Sequence, residues 1–285
     1  MAAEPREVVF KGASGNDLIA DAWGEEGRQS VIFLHGGGQT RHAWGGTAAR
    51  VAAAGWYSLS VDLRGHGESD WTESYSHVEF GRDVIEVVRQ IGARPVLVGA
   101  SLGGISALFA EDMADGGLCS ALVLVDIAPQ TNPEGVERIL SFMKAGAGGF
   151  ASVDDAADAI AGYLRERKRP GDVSGLKKNL RRKSDGRWYW HWDPRFLDHT
   201  PGDRTRRQSE LEAVARRLRV PTLLVRGTAS DALTEQGVQS FEKCVPQARF
   251  VDIAGAGHMV AGDRNDAFSE AIFSFLGMVE KADVA

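Results

Sequence analysis

The stretch from Val96 to Gly104 constrains this chain more than any other. An apolar run, Val96-Leu97-Val98, meets the pentad Gly99-Ala100-Ser101-Leu102-Gly103, and apolar residues then recur at helical spacing at Leu102, Ile105, Leu108, Phe109 and Met113. So short and apolar a strand suits the centre of a parallel sheet, buried on both faces. The residues after it read as one apolar face of a helix. A serine caught in the sharp turn between the two presents its hydroxyl above the strand end, beside the free N–H groups of the next helix. Glycines at 99 and 103 fit that turn, because a Cβ at either would obstruct the close approach of helix and strand.

Elsewhere the chain repeats the same rhythm. Glu7–Phe10 and Leu18–Trp23 read as strands around the turn Gly12 to Asp17, a hairpin at a sheet edge. Val31–Leu34, Tyr57–Val61, Ala121–Val125, Pro221–Val225 and Phe250–Ile253 read as further strands. Helical patterns fall at Ala43–Ala54, Phe80–Ile91, Glu235–Cys244 and Phe268–Val279. Strands alternating with helices imply right-handed crossovers and an α/β architecture with helices on both faces of the sheet. Between Pro129 and Leu218 the rhythm is absent. That stretch reads as helical and polar, with turns at Pro170-Gly171, Ser184-Asp185-Gly186 and Pro201-Gly202. We therefore expect a core formed by residues 1–128 and 219–285, and a helical cap inserted at 129–218.

The net charge of −6 is unevenly spread: Tyr163–Arg219 holds 17 Lys/Arg against 8 Asp/Glu, or +9, and the remainder is −15. No nucleic-acid-binding motif accompanies the basic stretch, so it reads as a solvated surface and no nucleic-acid partner is expected. Cys119 and Cys244 have neither metal-ligand spacing nor a disulfide framework, which fits a reducing compartment. The charged residues 1–11 contain no secretory h-region, and no run approaches the ~18 apolar residues of a membrane span. A cytoplasmic protein without a membrane partner is the expectation.

In a parallel α/β sheet, reactive groups gather at the carboxyl ends of the strands. Ser101 stands at one such end, and His258, in Gly255-Ala256-Gly257-His258, follows the last strand. An alcohol is a weak nucleophile at neutral pH unless a base takes its proton, and the resulting imidazolium needs a carboxylate to orient it. Asp231, after the strand at 222–225, is the expected carboxylate. Asp126, after the strand at 121–125, is the competitor, and both satisfy the order Ser…Asp…His. Backbone N–H groups of Gly37 (or Gly38), in His35-Gly36-Gly37-Gly38, and of Leu102 are placed to hold an oxyanion. His42, Trp44, Trp190 and Trp192 are candidates to line a substrate pocket, with core packing the alternative; the last two lie in the aromatic run Trp188–Trp192. His35 and His66 read as structural, and Asp263 as the cap of the last helix.

These residues together, with the loop Arg64-Gly65-His66-Gly67-Glu68-Ser69, resemble the α/β-hydrolase family along essentially the whole chain. The resemblance implies an eight-stranded, mostly parallel sheet and a serine nucleophile at Ser101. Related enzymes with an aspartate at that position, the epoxide hydrolases and haloalkane dehalogenases, are disfavoured. It further implies a serine hydrolase, carboxylesterase- or lactonase-like, that cleaves a small-to-medium ester or lactone with no metal or organic cofactor. C–C bond hydrolysis, cofactor-free perhydrolysis and a small-molecule receptor with a retained triad are the alternatives.

Overall fold

Alternate residues of the central strands belong to different hydrophobic clusters, and this pleat organises the molecule. Val31 and Phe33 pack on one face while Ile32 and Leu34 pack on the other; Val96 and Val98 are likewise separated from Leu97. The computed structural model describes residues 4–163, 169, 171–199, 204–260 and 265–283; Asp263 lies outside them.

The chain begins with the antiparallel strands β1 (Arg6–Lys11) and β2 (Asp17–Trp23). Next come β3 (Ser30–Leu34), α1 (Gly45–Ala53), β4 (Tyr57–Val61) and α2 (His77–Ile91). Strand β5 (Val96–Ala100) leads into α3 (Leu102–Met113), followed by β6 (Ala121–Val125). The segment after β6 contains α4 (Pro133–Ala145), α5 (Val153–Tyr163), the short strands β7 (Leu180–Arg182) and β8 (Trp188–Trp190), and α6 (Arg204–Arg217). Strand β9 (Thr222–Gly227), α7 (Glu235–Cys244), β10 (Arg249–Ile253) and α8 (Asn265–Asp283) complete the chain.

Eight strands form one sheet in the order β1-β2-β4-β3-β5-β6-β9-β10, parallel from β4 to β10. Helices α1 and α8 cover one face; α2, α3, α6 and α7 cover the other. Local chemistry sets the helix ends. In α2 the Ser76 hydroxyl accepts from the Glu79 N–H, and Gly92 closes the helix in the left-handed conformation, φ +70°. Strand order reverses direction at β3, between β4 and β5. In such a sheet the crevice at the carboxyl ends opens at that reversal.

Residues 129–218 add no strand to this sheet among those described. They are not purely helical, however. Strands β7 and β8 pair as an antiparallel ribbon across Ser184-Asp185-Gly186, and Phe150 bridges to Trp188. Each strand is only three residues long, too short for a period-two pattern to stand out.

Candidate functional site

Ser101 sits in the turn between β5 and α3 with φ +46° and ψ −111°, a conformation that L-residues rarely adopt. Its N–H donates to the Val125 carbonyl at 3.1 Å, and its own carbonyl accepts from Ile105 N–H at 3.0 Å, so the turn is held from both sides. A Cβ on Gly103 would collide with the Leu34 carbonyl, and one on Gly99 with the backbone of Gly103 and Gly104. The two glycines permit the close crossing that the sequence required of them.

The loop after β3 lies alongside. A Cβ built on Gly36 would stand 3.6 Å from the Ser101 Cβ, and one on Gly37 would stand 3.9 Å from the Leu102 Cβ. His35 is fully buried; its Nε2 accepts from Leu63 N–H at 3.0 Å, so its Nδ1 carries the proton donated to the Gly36 carbonyl at 2.8 Å. Burial lowers its pKa to about 4, which keeps the ring neutral as a brace. The Gly36 N–H donates to Gln39 Oε1, whereas Gly37 N–H has no protein acceptor among the described residues. The Gln39 amide also donates to Met259 Sδ at 2.9 Å, tying this loop to the one that bears His258.

The carboxylate at His258 is Asp126, not Asp231. His258 Nδ1 lies 2.7 Å from Asp126 Oδ2, and the Asp126 side chain is wholly buried. Asp126 also has a positive φ, +52°. The expected pairing with Asp231 is corrected for a local reason. The loop after β9 folds back through Ser230 N–H to the Gly227 carbonyl (2.9 Å) and Ala229 N–H to the Ala256 carbonyl (2.8 Å). This turns Ser230 toward Asp126 and sends Asp231 outward, where it pairs with Arg138 of α4. An imidazole whose Nδ1–H is held by a carboxylate presents Nε2 as a proton acceptor.

The candidate pocket residues separate. Trp44 is 1% exposed and packs between Phe33 (ring centroids 5.3 Å apart) and Phe268 (5.6 Å), within the α1/α8 layer. It is core, and the pocket-wall expectation for it is corrected. His42 faces Asp21 at 3.4 Å and borders a polar cavity of about 230 Å³ with Thr40, Arg41, Glu68, Lys177 and His191. Trp190 and Trp192 are buried and stacked, with centroids 5.1 Å apart at 9°. Trp190 packs inward on Phe150, edge to face at 5.0 Å. Trp192 reaches the loop after β3, 3.4 Å from where a Gly38 Cβ would stand. Sequence reasoning did not single out Met143 or Phe196, which press on Gly38 and Gly37 respectively. Phe196 also meets the His66 ring edge-on at 5.0 Å. An aromatic residue just beyond the Trp188–Trp192 run was the available signal for Phe196; Met143 had none.

Among the described residues no group of His, Cys, Asp or Glu is arranged to hold a metal ion, and no helix is long and apolar enough to cross a membrane. A model of the alpha/beta hydrolase family matches residues 31–271. The chain is 31% identical over 264 residues to esterase Rv0045c of Mycobacterium tuberculosis, covering 90% of this chain and 85% of that one. A crystal structure of that esterase superposes with a TM-score of 0.75 at 30% identity, over 97% of this chain and 93% of the other. The sn-1-specific diacylglycerol lipase ABHD11 of Mus musculus is 28% identical, over 87% of this chain and 80% of its own. The structure of E-2-(acetamidomethylene)succinate hydrolase gives a TM-score of 0.84 at 21% identity, over 96% of this chain and 99% of that one, a likeness of fold.

Proposed function

Because the chain belongs to the alpha/beta hydrolase family, we propose that it is a serine hydrolase acting on small-to-medium carboxylic esters or lactones. Ser101 Oγ attacks the carbonyl carbon while His258 Nε2 takes the hydroxyl proton. Asp126 holds the Nδ1–H and stabilises the imidazolium. The N–H groups of Gly37 and Leu102 receive the oxyanion, preorganised by the His35–Gly36 brace and by the start of α3. Collapse of the tetrahedral intermediate expels the alcohol, which takes its proton from His258. Water, deprotonated by His258, then attacks the acyl-enzyme and releases the acid.

The observation that carries this reading is the 2.7 Å bond between His258 Nδ1 and buried Asp126, on the sheet edge that also bears the strained Ser101. The names of the relatives, an esterase and a lipase, support an ester as the substrate class. Phe196, Met143 and Trp192 around Gly37 and Gly38 favour an apolar acyl group. In this reading residues 129–218 are the cap over the site, and residues 1–128 with 219–285 are the core.

The test is steady-state hydrolysis of p-nitrophenyl esters from acetate to decanoate by the wild type and by Ser101→Ala. The expected result is turnover in the wild type and none above background in the variant, with unchanged circular dichroism. Equal turnover by both proteins would end the serine mechanism. A single burst without turnover would replace the esterase reading with one in which deacylation is blocked.

A further inference from the structure

We propose that Ser230 is a positioning residue for the reaction, locking the Asp126 carboxylate in the rotamer that His258 needs; this rests on the Ser101–His258–Asp126 reading above. Asp126 Oδ1 accepts from Gly227 N–H at 3.2 Å, and Oδ2 accepts from both His258 Nδ1 and the Ser230 hydroxyl. The hydroxyl itself accepts from Ala232 N–H at 3.2 Å and Leu233 N–H at 3.4 Å. Those two amides occupy its lone pairs, so its single proton points at Asp126.

The carboxylate thus has three donors, one from the last residue of β9, one from the loop that follows it and one from His258. The direction of the Ser230 bond matters. A hydroxyl that accepted instead would leave only Gly227 N–H and His258 to fix the carboxylate about its terminal torsion, which is broad. The same loop touches the inserted segment. Asn132 N–H donates to the Ala232 carbonyl at 2.8 Å, Asn132 Nδ2 donates to the Asp231 carbonyl at 2.9 Å, and Asp231 pairs with Arg138. The residue that orients the acid is therefore seated on the loop against which α4 docks.

Ser230→Ala, Ser230→Thr, Asp126→Asn and the double variant Asp126→Asn/Ser230→Ala decide this, assayed on one p-nitrophenyl ester with thermal unfolding as the folding control. Loss of a hydrogen bond to a charged group is expected to lower kcat about 10- to 100-fold in Ser230→Ala, with KM within about twofold of wild type. Threonine, which keeps the hydroxyl, restores kcat to within about threefold. In the Asp126→Asn background the alanine costs less than about twofold, because residues acting as one unit are non-additive. Wild-type kcat in Ser230→Ala beside an inactive Asp126→Asn overturns the role of Ser230 alone. So does an equal loss in both backgrounds, which marks a merely structural serine. Full activity of Asp126→Asn overturns the triad reading itself.

Discussion

Asp126 and His258 share a 2.7 Å hydrogen bond, although Asp231 satisfies the same chain order, Ser…Asp…His. Asp231 instead faces Arg138 and is partly exposed, with 35% of its side chain open to solvent. The two carboxylates should therefore behave very differently. Asp126→Asn is expected to lower kcat by about 10³- to 10⁴-fold, the cost of an imidazole held in the wrong tautomer. Asp231→Asn loses an exposed ion pair and should change kcat less than about threefold. Steady-state kinetics on one ester separates the two, and a greater loss from Asp231→Asn would return the role to that residue.

Phe196 and Trp44 are both buried aromatic residues, but they belong to different hydrophobic clusters. Phe196 stands 3.1 Å from the position of a Gly37 Cβ, while Trp44 packs on Phe268. Phe196→Ala is expected to move the chain-length optimum toward longer or bulkier acyl groups. Trp44→Ala should leave that optimum unchanged and cost about 3–5 kcal/mol of stability. The ester series and urea unfolding of both variants provide the comparison.

Arg41 is the hub of an ion cluster that runs from the interior, at Asp62, to the surface, at Glu68. Its guanidinium reaches Asp21 at 2.9 Å, Asp62 at 2.5 Å and Glu68 at 2.5 Å, and Asp62 is wholly buried. Arg41→Met would strand the Asp62 and Asp21 carboxylates without their cation. Breaking a buried pair in this way costs about 3–5 kcal/mol. Replacing an exposed arginine such as Arg89, paired with Glu86 on α2, should cost less than about 1 kcal/mol. Urea midpoints of the two variants check the contrast.

Three histidines make the fold acid-sensitive. Burial pushes the pKa of His35 and His77 down to about 4 and that of His66 to about 3, against an ordinary value of 6.5. The unfolded chain binds these protons first as pH falls. Their contribution is thus complete above about pH 6.5 and is lost progressively toward pH 4, and toward pH 3 for His66. Each histidine adds a slope of about 1.4 kcal/mol per pH unit inside its window. Urea unfolding between pH 5 and 7 should show stability falling on acidification, and His66→Gln should reduce the slope. A slope unchanged in the variant would remove His66 from this account.

Some of the site was legible before any fold was known. The pentad around Ser101 needs glycine at 99 and 103 because a strand and a helix cross there, and that demand is written within five residues. His258 was legible too, since it follows the last apolar run in a glycine loop. Other features were hidden by their size. Strands β7 and β8 contain Arg181, Arg182 and Tyr189, and three residues give no periodicity to read. Met143 sits in a helix of mixed polarity, and nothing near it in sequence signals that it presses on Gly38.

The parallel α/β sheet, the sharp serine turn and the glycine loop beside it are written in the order of the residues. Each depends on hydrophobic period and turn chemistry, which act over a few neighbouring residues. Which aspartate meets His258, and which tryptophan meets the loop at Gly38, depends on contacts between segments far apart in the chain. Asp126 and Asp231 follow adjacent strands, β6 and β9, so strand order alone admits both. The choice came from how the loop after Gly227 turns back onto the Ala256 carbonyl, a contact between segments whose meeting no local pattern encodes.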